Sequence, residues 1–162
     1  MPTCAELGII CCERAAKGVA AKMRVDEVMT KDLMTCSDSD SLSEAATMMR
    51  EINVGSLPIV DDSGDVIGII TDRDITVRAV ARGVDPVMAQ VIDFMTPNPV
   101  TIAPDADVEV AAEIMASAQV RRLPVLQDDR LVGMVSLGDL AVDVGEEEML
   151  AETLERISSP VR

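Results

Sequence analysis

The chain spells out one set of motifs twice, and that duplication limits its fold more than any other feature. Met29-Thr30 returns as Met95-Thr96, Thr35 as Thr101, Ala45-Ala46 as Ala111-Ala112 and Pro58 as Pro124, all at one offset, 95 − 29 = 66. Gly68, Thr71 and Asp74 return as Gly133, Ser136 and Asp139 at 133 − 68 = 65. The lost residue falls where Asp61-Asp62-Ser63-Gly64-Asp65 shortens to Gln127-Asp128-Asp129-Arg130. A unit this short buries its apolar face against a neighbour. The duplication therefore predicts two halves that pack on each other and form paired, equivalent sites.

Inside each unit the residue pattern predicts the same order of elements. In the first, a segment through Val28-Met29-Thr30 leads to an extended stretch, Met34-Thr35-Cys36. Ser41-Leu42-Ser43-Glu44 is a capping box of the S-x-x-E type. Leu42, Ala45, Ala46, Met49 and Ile52 then follow at helical spacing, with Gly55 as the expected stop. Strands from Leu57 to Val60 and from Val66 to Ile70 flank the Asp/Ser/Gly turn. A second helix runs from Thr71 to Arg82 and is ended by Gly83.

The second unit repeats this order. Thr101-Ile102 is extended, Asp107 takes the cap position, and a helix runs to about Ala118. Strands from Leu123 to Leu126 and from Leu131 to Val135 precede a helix that starts at Ser136. A last helix, from Glu146 to Ile157, carries Met149, Leu150, Leu154 and Ile157 and packs back on the module or on a partner. Strand, helix, strand, strand, helix in each unit predicts an α/β (α+β) class with small sheets covered by helices. The chain divides into an N-terminal extension (1–24), a first repeat (25–83), a linker (84–90), a second repeat (91–142) and a C-terminal helical tail (143–162).

Composition narrows the function classes. Fourteen Lys and Arg against 29 Asp and Glu leave a net charge of −15. That balance argues against nucleic acid, whose affinity comes mostly from cations on phosphate, and it repels anionic membranes. No stretch reaches the roughly 20 apolar residues that cross a bilayer. The chain has no His, which removes Ser-His and Cys-His nucleophile pairs and His-ligated metal sites together. Cys4, Cys11, Cys12 and Cys36 form no CxxC pair, and no secretory leader precedes them, so a reduced, cytoplasmic setting without a metal centre is expected. Residues 1–22 can form an amphipathic helix through Leu7, Ile10, Cys11, Ala15 and Val19. Met23 stands just before the repeat and is a second candidate start of the protein.

The chemistry candidates are Thr71-Asp72-Arg73-Asp74 and Ser136-Leu137-Gly138-Asp139. Each places a hydroxyl at a strand's end and an acid three residues later, at a helix start. That spacing is an ordinary capping box. It is also a binding geometry, because a helix start offers free N–H groups to phosphate and a carboxylate there can accept hydrogen bonds from a ribose diol. The cap alone gives no reason for both copies to keep a Gly three residues earlier. Ahead of the strands lie Gly55-Ser56-Leu57-Pro58 and Arg121-Arg122-Leu123-Pro124. A Pro near a strand start is tolerated only at an edge or as a first residue, and an edge there leaves neighbouring backbone groups free to bond a flat base. Phe94 is the only aromatic residue, so aliphatic side chains would have to sandwich that base.

Taken in order, the Met-Thr opening, the apolar-Pro-apolar strand and Gly-x-x-[Thr/Ser]-x-x-Asp, each present twice, make residues 25–141 resemble a tandem pair of cystathionine-beta-synthase-type (CBS) domains, or Bateman module, of the stand-alone bacterial type. The resemblance implies two βαββα repeats related by a pseudo-twofold axis, with two clefts that hold adenosine ligands such as AMP, ADP, ATP or S-adenosylmethionine. It implies that Asp74 and Asp139 bind ribose hydroxyls while Thr71 and Ser136 approach the ribose or phosphate. It further implies that Ser56, Leu57, Pro58, Leu123 and Pro124, with Thr35 and Thr101, line the base pocket. Family members also dimerise into flat disks, so a homodimer is expected.

The two sites differ in cations. Arg121 and Arg122 align with Gly55 and Ser56, and Arg73 aligns with Gly138, so a polyphosphate should prefer one cleft. The expected function is a regulatory, non-catalytic module that senses an adenine nucleotide, needs no cofactor and acts in trans on a separate protein. The alternative is a constitutive dimerisation module with empty clefts, in which both motifs are caps and nothing more.

Overall fold

The computed structural model describes residues 22–143 and 147–159. The first half contributes α1 (Val25–Val28), β1 (Cys36–Ser37), α2 (Leu42–Glu51), β2 (Ser56–Val60), β3 (Val66–Thr71) and α3 (Asp72–Asp74). α3 runs on as a π-helical turn, Ile75–Ala79, and a 3₁₀ turn, Val80–Arg82, stopped by the left-handed Gly83. After a 3₁₀ turn at Val91–Asp93, the second half contributes β4 (Thr96–Pro97), α4 (Val108–Ala118), β5 (Arg122–Gln127), β6 (Arg130–Ser136), α5 (Leu137–Asp143) and α6 (Glu147–Ser158). The mixed α+β class and the two repeats are as expected. The amphipathic helix expected within residues 1–22, and Cys4, Cys11 and Cys12, lie outside the described residues.

Local chemistry explains the boundaries. At Ser41 the capping box closes: its Oγ accepts from Glu44 N at 3.2 Å, and its own N–H donates to Glu44 Oε2 at 2.8 Å. Those hydrogen bonds from the Ser41 backbone and hydroxyl hold the Glu44 carboxyl below the usual range. α2 ends before Gly55, because Asn53 already turns left-handed at φ 55°, as Gln119 does at φ 53° after α4. Asn tolerates that conformation through its short polar side chain. Asp107 does occupy the cap position of α4, yet its carboxylate makes no cap bond and instead takes Lys22 Nζ at 3.2 Å.

Each repeat lends its opening segment to the other. The first core gathers Cys36, Leu42, Leu57, Ile59 and Ile70 with Val91, and Phe94 and Met95 pack against it. The second gathers Ile102, Val108, Met115, Leu123, Val125 and Val135 with Val25 and Val28, and Met29 packs against it. The sheets follow the same exchange. β1 lies parallel to β2, β2 is antiparallel to β3, and β3 takes the second Met-Thr segment through Ile69↔Thr96. The hairpin β5-β6 is completed likewise by a parallel bridge Ile102↔Val125 and an antiparallel bridge Thr30↔Met134.

Gly68 and Gly133 are what the exchange requires. A Cβ on Gly68 would overlap Met95 Sδ and sit 3.1 Å from the Thr96 carbonyl oxygen. On Gly133 it would overlap Met29 Sδ and sit 3.2 Å from the Thr30 carbonyl oxygen. Met, Thr and Gly thus recur together because the Met of one repeat fills a notch in the strand of the other.

The halves obey a pseudo-twofold axis. The bridges Arg24↔Asp107 and Ser41↔Gln90 are each other's copies at the 66-residue offset. Ser56 and Arg122, themselves 66 residues apart, touch each other, with Arg122 Nη1 donating to Ser56 Oγ at 3.3 Å. Equivalent positions meet in this way only on the axis. α6 breaks the symmetry: Met149, Leu150 and Ile157 cover the second core, and Arg156 clasps Glu113 of α4 with both nitrogens. Gln119 Nε2 finishes α6 by donating to the carbonyls of Arg156 at 3.3 Å and Ser159 at 3.0 Å. Among the described residues no helix is long and apolar enough to cross a membrane.

Candidate functional site

Both Thr/Ser-x-x-Asp motifs fold as complete capping boxes. Thr71 N–H and Oγ1–H donate to Asp74 Oδ2 at 3.1 and 2.6 Å, and Asp74 N–H donates back to Thr71 Oγ1 at 3.1 Å. Ser136 and Asp139 repeat the pattern at 2.8, 2.8 and 3.2 Å. In each box one carboxylate oxygen, Oδ2, carries both accepted bonds, which leaves Oδ1 for other work. The two Oδ1 atoms then differ. Asp74 Oδ1 pairs with Arg78 Nε at 3.2 Å, whereas Asp139 Oδ1 has no partner among the described residues.

Arg78 escaped the sequence reading. It stands on the π-helical turn behind Asp74, and its Nη1 also donates to the carbonyls of Phe94 at 2.9 Å and Met95 at 3.2 Å. The side chain therefore ties the acid of the first motif to the segment that seats Met95 over Gly68. An Arg four residues after an Asp at a helix start is the sequence signal that identifies such a pair.

A cleft of about 680 Å³ opens between the repeats. Its first wall is Gly55, just before β2, with Ser56, Ile69, Thr71 and Arg73 from β2, β3 and α3; Gln119, Val120, Arg121 and Arg122, ahead of and at the start of β5, form the facing wall. Thr96, Asn98 and Val100 close one end. The cleft brings together five of the predicted residues, Ser56, Thr71, Arg73, Arg121 and Arg122, and all three arginines share it. Asp74 stands directly behind Thr71 with its side chain 14% exposed.

Other predicted residues lie elsewhere. Leu57 and Leu123 are buried in the two cores, and Pro58 and Pro124 are buried in β2 and β5. The Pro124 carbonyl is already used, accepting from Ile102 N at 3.0 Å, so this strand offers a flat base no free carbonyl there. Thr35 is exposed just before β1, and Thr101 is half-buried while its neighbour Val100 lines the cleft. Ser136 and Asp139 belong to the other repeat's half of the pseudo-symmetric pair and do not line this cleft.

A second hollow of about 680 Å³ lies beside the second repeat's sheet, lined by Arg24, Asp26, Lys31, Asp105 and Asp128 among others. Its charges are mixed, with Arg24 Nη2 on Asp26 Oδ2 at 2.9 Å, and none of the predicted site residues reaches it. Cys36 is sealed in the first core, where burial, reinforced by its hydrogen bond to Asp40, pushes its thiol up to about 12. Such a thiol stays protonated and is no nucleophile. Among the described residues no group of three or more His, Cys, Asp or Glu is placed to hold a metal ion.

Comparison with known proteins adds the following. The profile of the CBS domain matches residues 25–80 and 91–157. The CBS domain-containing protein YhcV of Bacillus subtilis is 39% identical over 134 residues, which cover 83% of this chain and 94% of that protein. Among solved structures, the CBS domain protein TA0289 of Thermoplasma acidophilum aligns with a TM-score of 0.76 at 25% identity, over 83% of this chain and 76% of that one. The CBS domain pair of protein MJ0100, in complex with 5′-methylthioadenosine and S-adenosyl-L-methionine, aligns with a TM-score of 0.68 at 32% identity, over 76% of this chain and 97% of that one.

Proposed function

The chain belongs to the CBS domain family, and from that premise we propose that it is a regulatory module that binds an adenosine-type ligand between its repeats and signals occupancy to a separate protein. One observation carries the reading: the cleft takes its walls from both repeats, so a ligand that bridges them alters how they sit together. At the start of α3 the N–H groups of Asp72, Arg73 and Asp74 are held by Gly55 O, Asp72 Oδ1 and Thr71 Oγ1, so a ribose or phosphate oxygen would have to take over bonds of the Thr71–Asp74 box, as the resemblance to the family implies. The ligands of the MJ0100 pair support an adenosine group over other small molecules. We place the protein's work in the cytoplasm, where nucleotides are the pool to be sensed, and regard it as non-catalytic.

The active form we propose is a homodimer. Val77 and its repeat counterpart Val142 are 52% and 82% exposed on the last helices of the two repeats, an apolar pair that suits a twofold partner. A second reading, a constitutive interaction module with empty clefts, draws on the closed capping boxes, which give Asp74 and Asp139 a structural role without any ligand.

Calorimetry on nucleotide-stripped protein with AMP, ADP, ATP and S-adenosylmethionine separates the two, with sedimentation run beside it. Binding by at least one of them, lost in Asp74→Ala while the fold loses only about 1 kcal/mol as a missing cap does, is the expected result. No heat with any of the four would leave the constitutive module. A monomer in sedimentation at every concentration would remove the dimer.

A further inference from the structure

Resting on the reading that an adenosine-type ligand binds between the repeats, we infer that α6 is a latch which the ligand opens by drawing Gln119 away from it. Gln119 belongs to both places. It lines the cleft together with Val120 and with Ala118, the last residue of α4. Its Nε2 donates to the carbonyls of Arg156 and Ser159 at 3.3 and 3.0 Å, which secures the C-terminal end of α6. An amide nitrogen carries two hydrogens, and both are spent there. A ligand acceptor that takes a hydrogen bond from this nitrogen therefore takes it from α6. Val120 makes a second link, since it lines the cleft and packs against the same core as Met149, Leu150 and Ile157 of α6.

What else holds α6 is slight. The helix lies along α4 and touches α5, but Met149, Leu150 and Ile157 are only partly buried and Leu154 is 48% exposed. Thr153 is buried, and its hydroxyl donates to Met149 O within the same helix at 2.7 Å, so it keeps its partner when α6 leaves. The Arg156–Glu113 pair has both side chains well exposed, and pairs of that kind hold weakly. Release bares the apolar face of α6 and the Ala112 and Ala116 positions of α4, so the outer surface of the second repeat changes with the state of the cleft.

The attachment is particular to the second repeat. Counting back 66 residues, Glu113 becomes Thr47, Ala116 becomes Arg50 and Gln119 becomes Asn53. Ala112 and Ala116 are buried on the helix that α6 covers, whereas Ala46 and Arg50 on α2 stand in solvent. Asn53 makes the same left-handed turn as Gln119, φ 55° against 53°, with a side chain one methylene shorter. The turn itself does not require Gln. The longer reach serves α6.

Hydrogen exchange on the full chain tests the latch, first without ligand. Gln119→Asn keeps the turn and drops the two bonds, so α6 amides should exchange about threefold to tenfold faster than in wild type, with α2, β2 and β3 unchanged. Nucleotide-stripped wild type, saturated with whichever of AMP, ADP, ATP and S-adenosylmethionine binds in calorimetry, should show the same acceleration in α6. Coupling between sites is reciprocal. Arg156→Gln loosens α6 from outside the cleft. It should therefore bind the same compound about twofold to fivefold more tightly, with an unchanged circular dichroism spectrum. Unaltered α6 exchange in Gln119→Asn would overturn the latch and leave the adenosine reading standing. So would a bound compound that leaves α6 exchange unaltered or slower, or an affinity that Arg156→Gln does not raise. No heat with any of the four compounds would overturn the adenosine reading and the ligand-driven latch with it, even where Gln119→Asn loosens α6.

Discussion

At Gly133 one added methyl group would collide with Met29 Sδ, as one at Gly68 would with Met95 Sδ. Gly133→Ala should therefore destabilise the protein by about 1–3 kcal/mol, the usual range for overpacking. Pairing it with Met29→Ala, which empties the notch, should return part of that loss. Urea unfolding of the two single variants and the double variant measures this, and strictly additive losses would mean that the notch is not the cause. The residue scale is where the sequence was most informative and most ambiguous. The recurrence of Met, Thr and Gly was plain, but the Gly looked like part of a ligand site because its partner lies on the other repeat. Asp74 and Asp139 were legible as caps or as ligands, and the structure shows the caps in full. Arg78 went unread because its second set of partners, the Phe94 and Met95 carbonyls, is 16 and 17 residues away.

Among the elements, α2 and α4 show how far local signals reach. The Ser41–Glu44 box was readable and starts α2 as expected. Ser41→Ala should cost about 1 kcal/mol at neutral pH. Glu44 has a folded pKa below its unfolded value of 4.5, so its share of that stability is complete above about pH 4.5 and is lost as pH falls through the lowered folded value. The gap between wild type and Ser41→Ala in urea unfolding should accordingly narrow from pH 6 to pH 3, and a constant gap would contradict the box. At α4 the same cap position carries Asp107, yet Lys22, 85 residues away, claims the side chain. The extents of the hairpin strands β2, β3, β5 and β6 followed from apolar runs and turn residues to within one residue, because hairpins are local. The extended stretch expected at Met34-Thr35-Cys36, by contrast, is a strand only at Cys36–Ser37, and the strand at Thr96–Pro97 had no local signal. The π-helical turn Ile75–Ala79 had no such signal; its Ile75 and Ala79 are buried in the first core.

For the whole molecule, pseudo-twofold packing could be expected from the duplication, but the exchange of opening segments could not. Nothing in Val25, Val28 or Met29 says that their core begins at Ile102. The consequence is that the repeats are not separable at the linker. A fragment of residues 84–162 lacks Val25, Val28 and Met29 and should be largely unfolded by circular dichroism. A fragment of residues 31–100, which contains its whole core, should retain far more structure. A well-dispersed amide spectrum from 84–162 alone would refute the exchange. The intact chain should unfold in a single cooperative transition, because neither core survives loss of the other's opening segment.

The same exchange sets an order on synthesis. Every part of the first core, from Met34 to Met95, leaves the ribosome as one continuous stretch and can close while the chain is still growing. The apolar face of α1 has no such option. Val25, Val28 and Met29 emerge before the first core yet wait for a partner core that begins only at Ile102 and is completed at Val135 and Leu140. The nascent protein therefore carries this apolar segment uncovered while the whole first core is made, the stage at which a holding chaperone has most to protect.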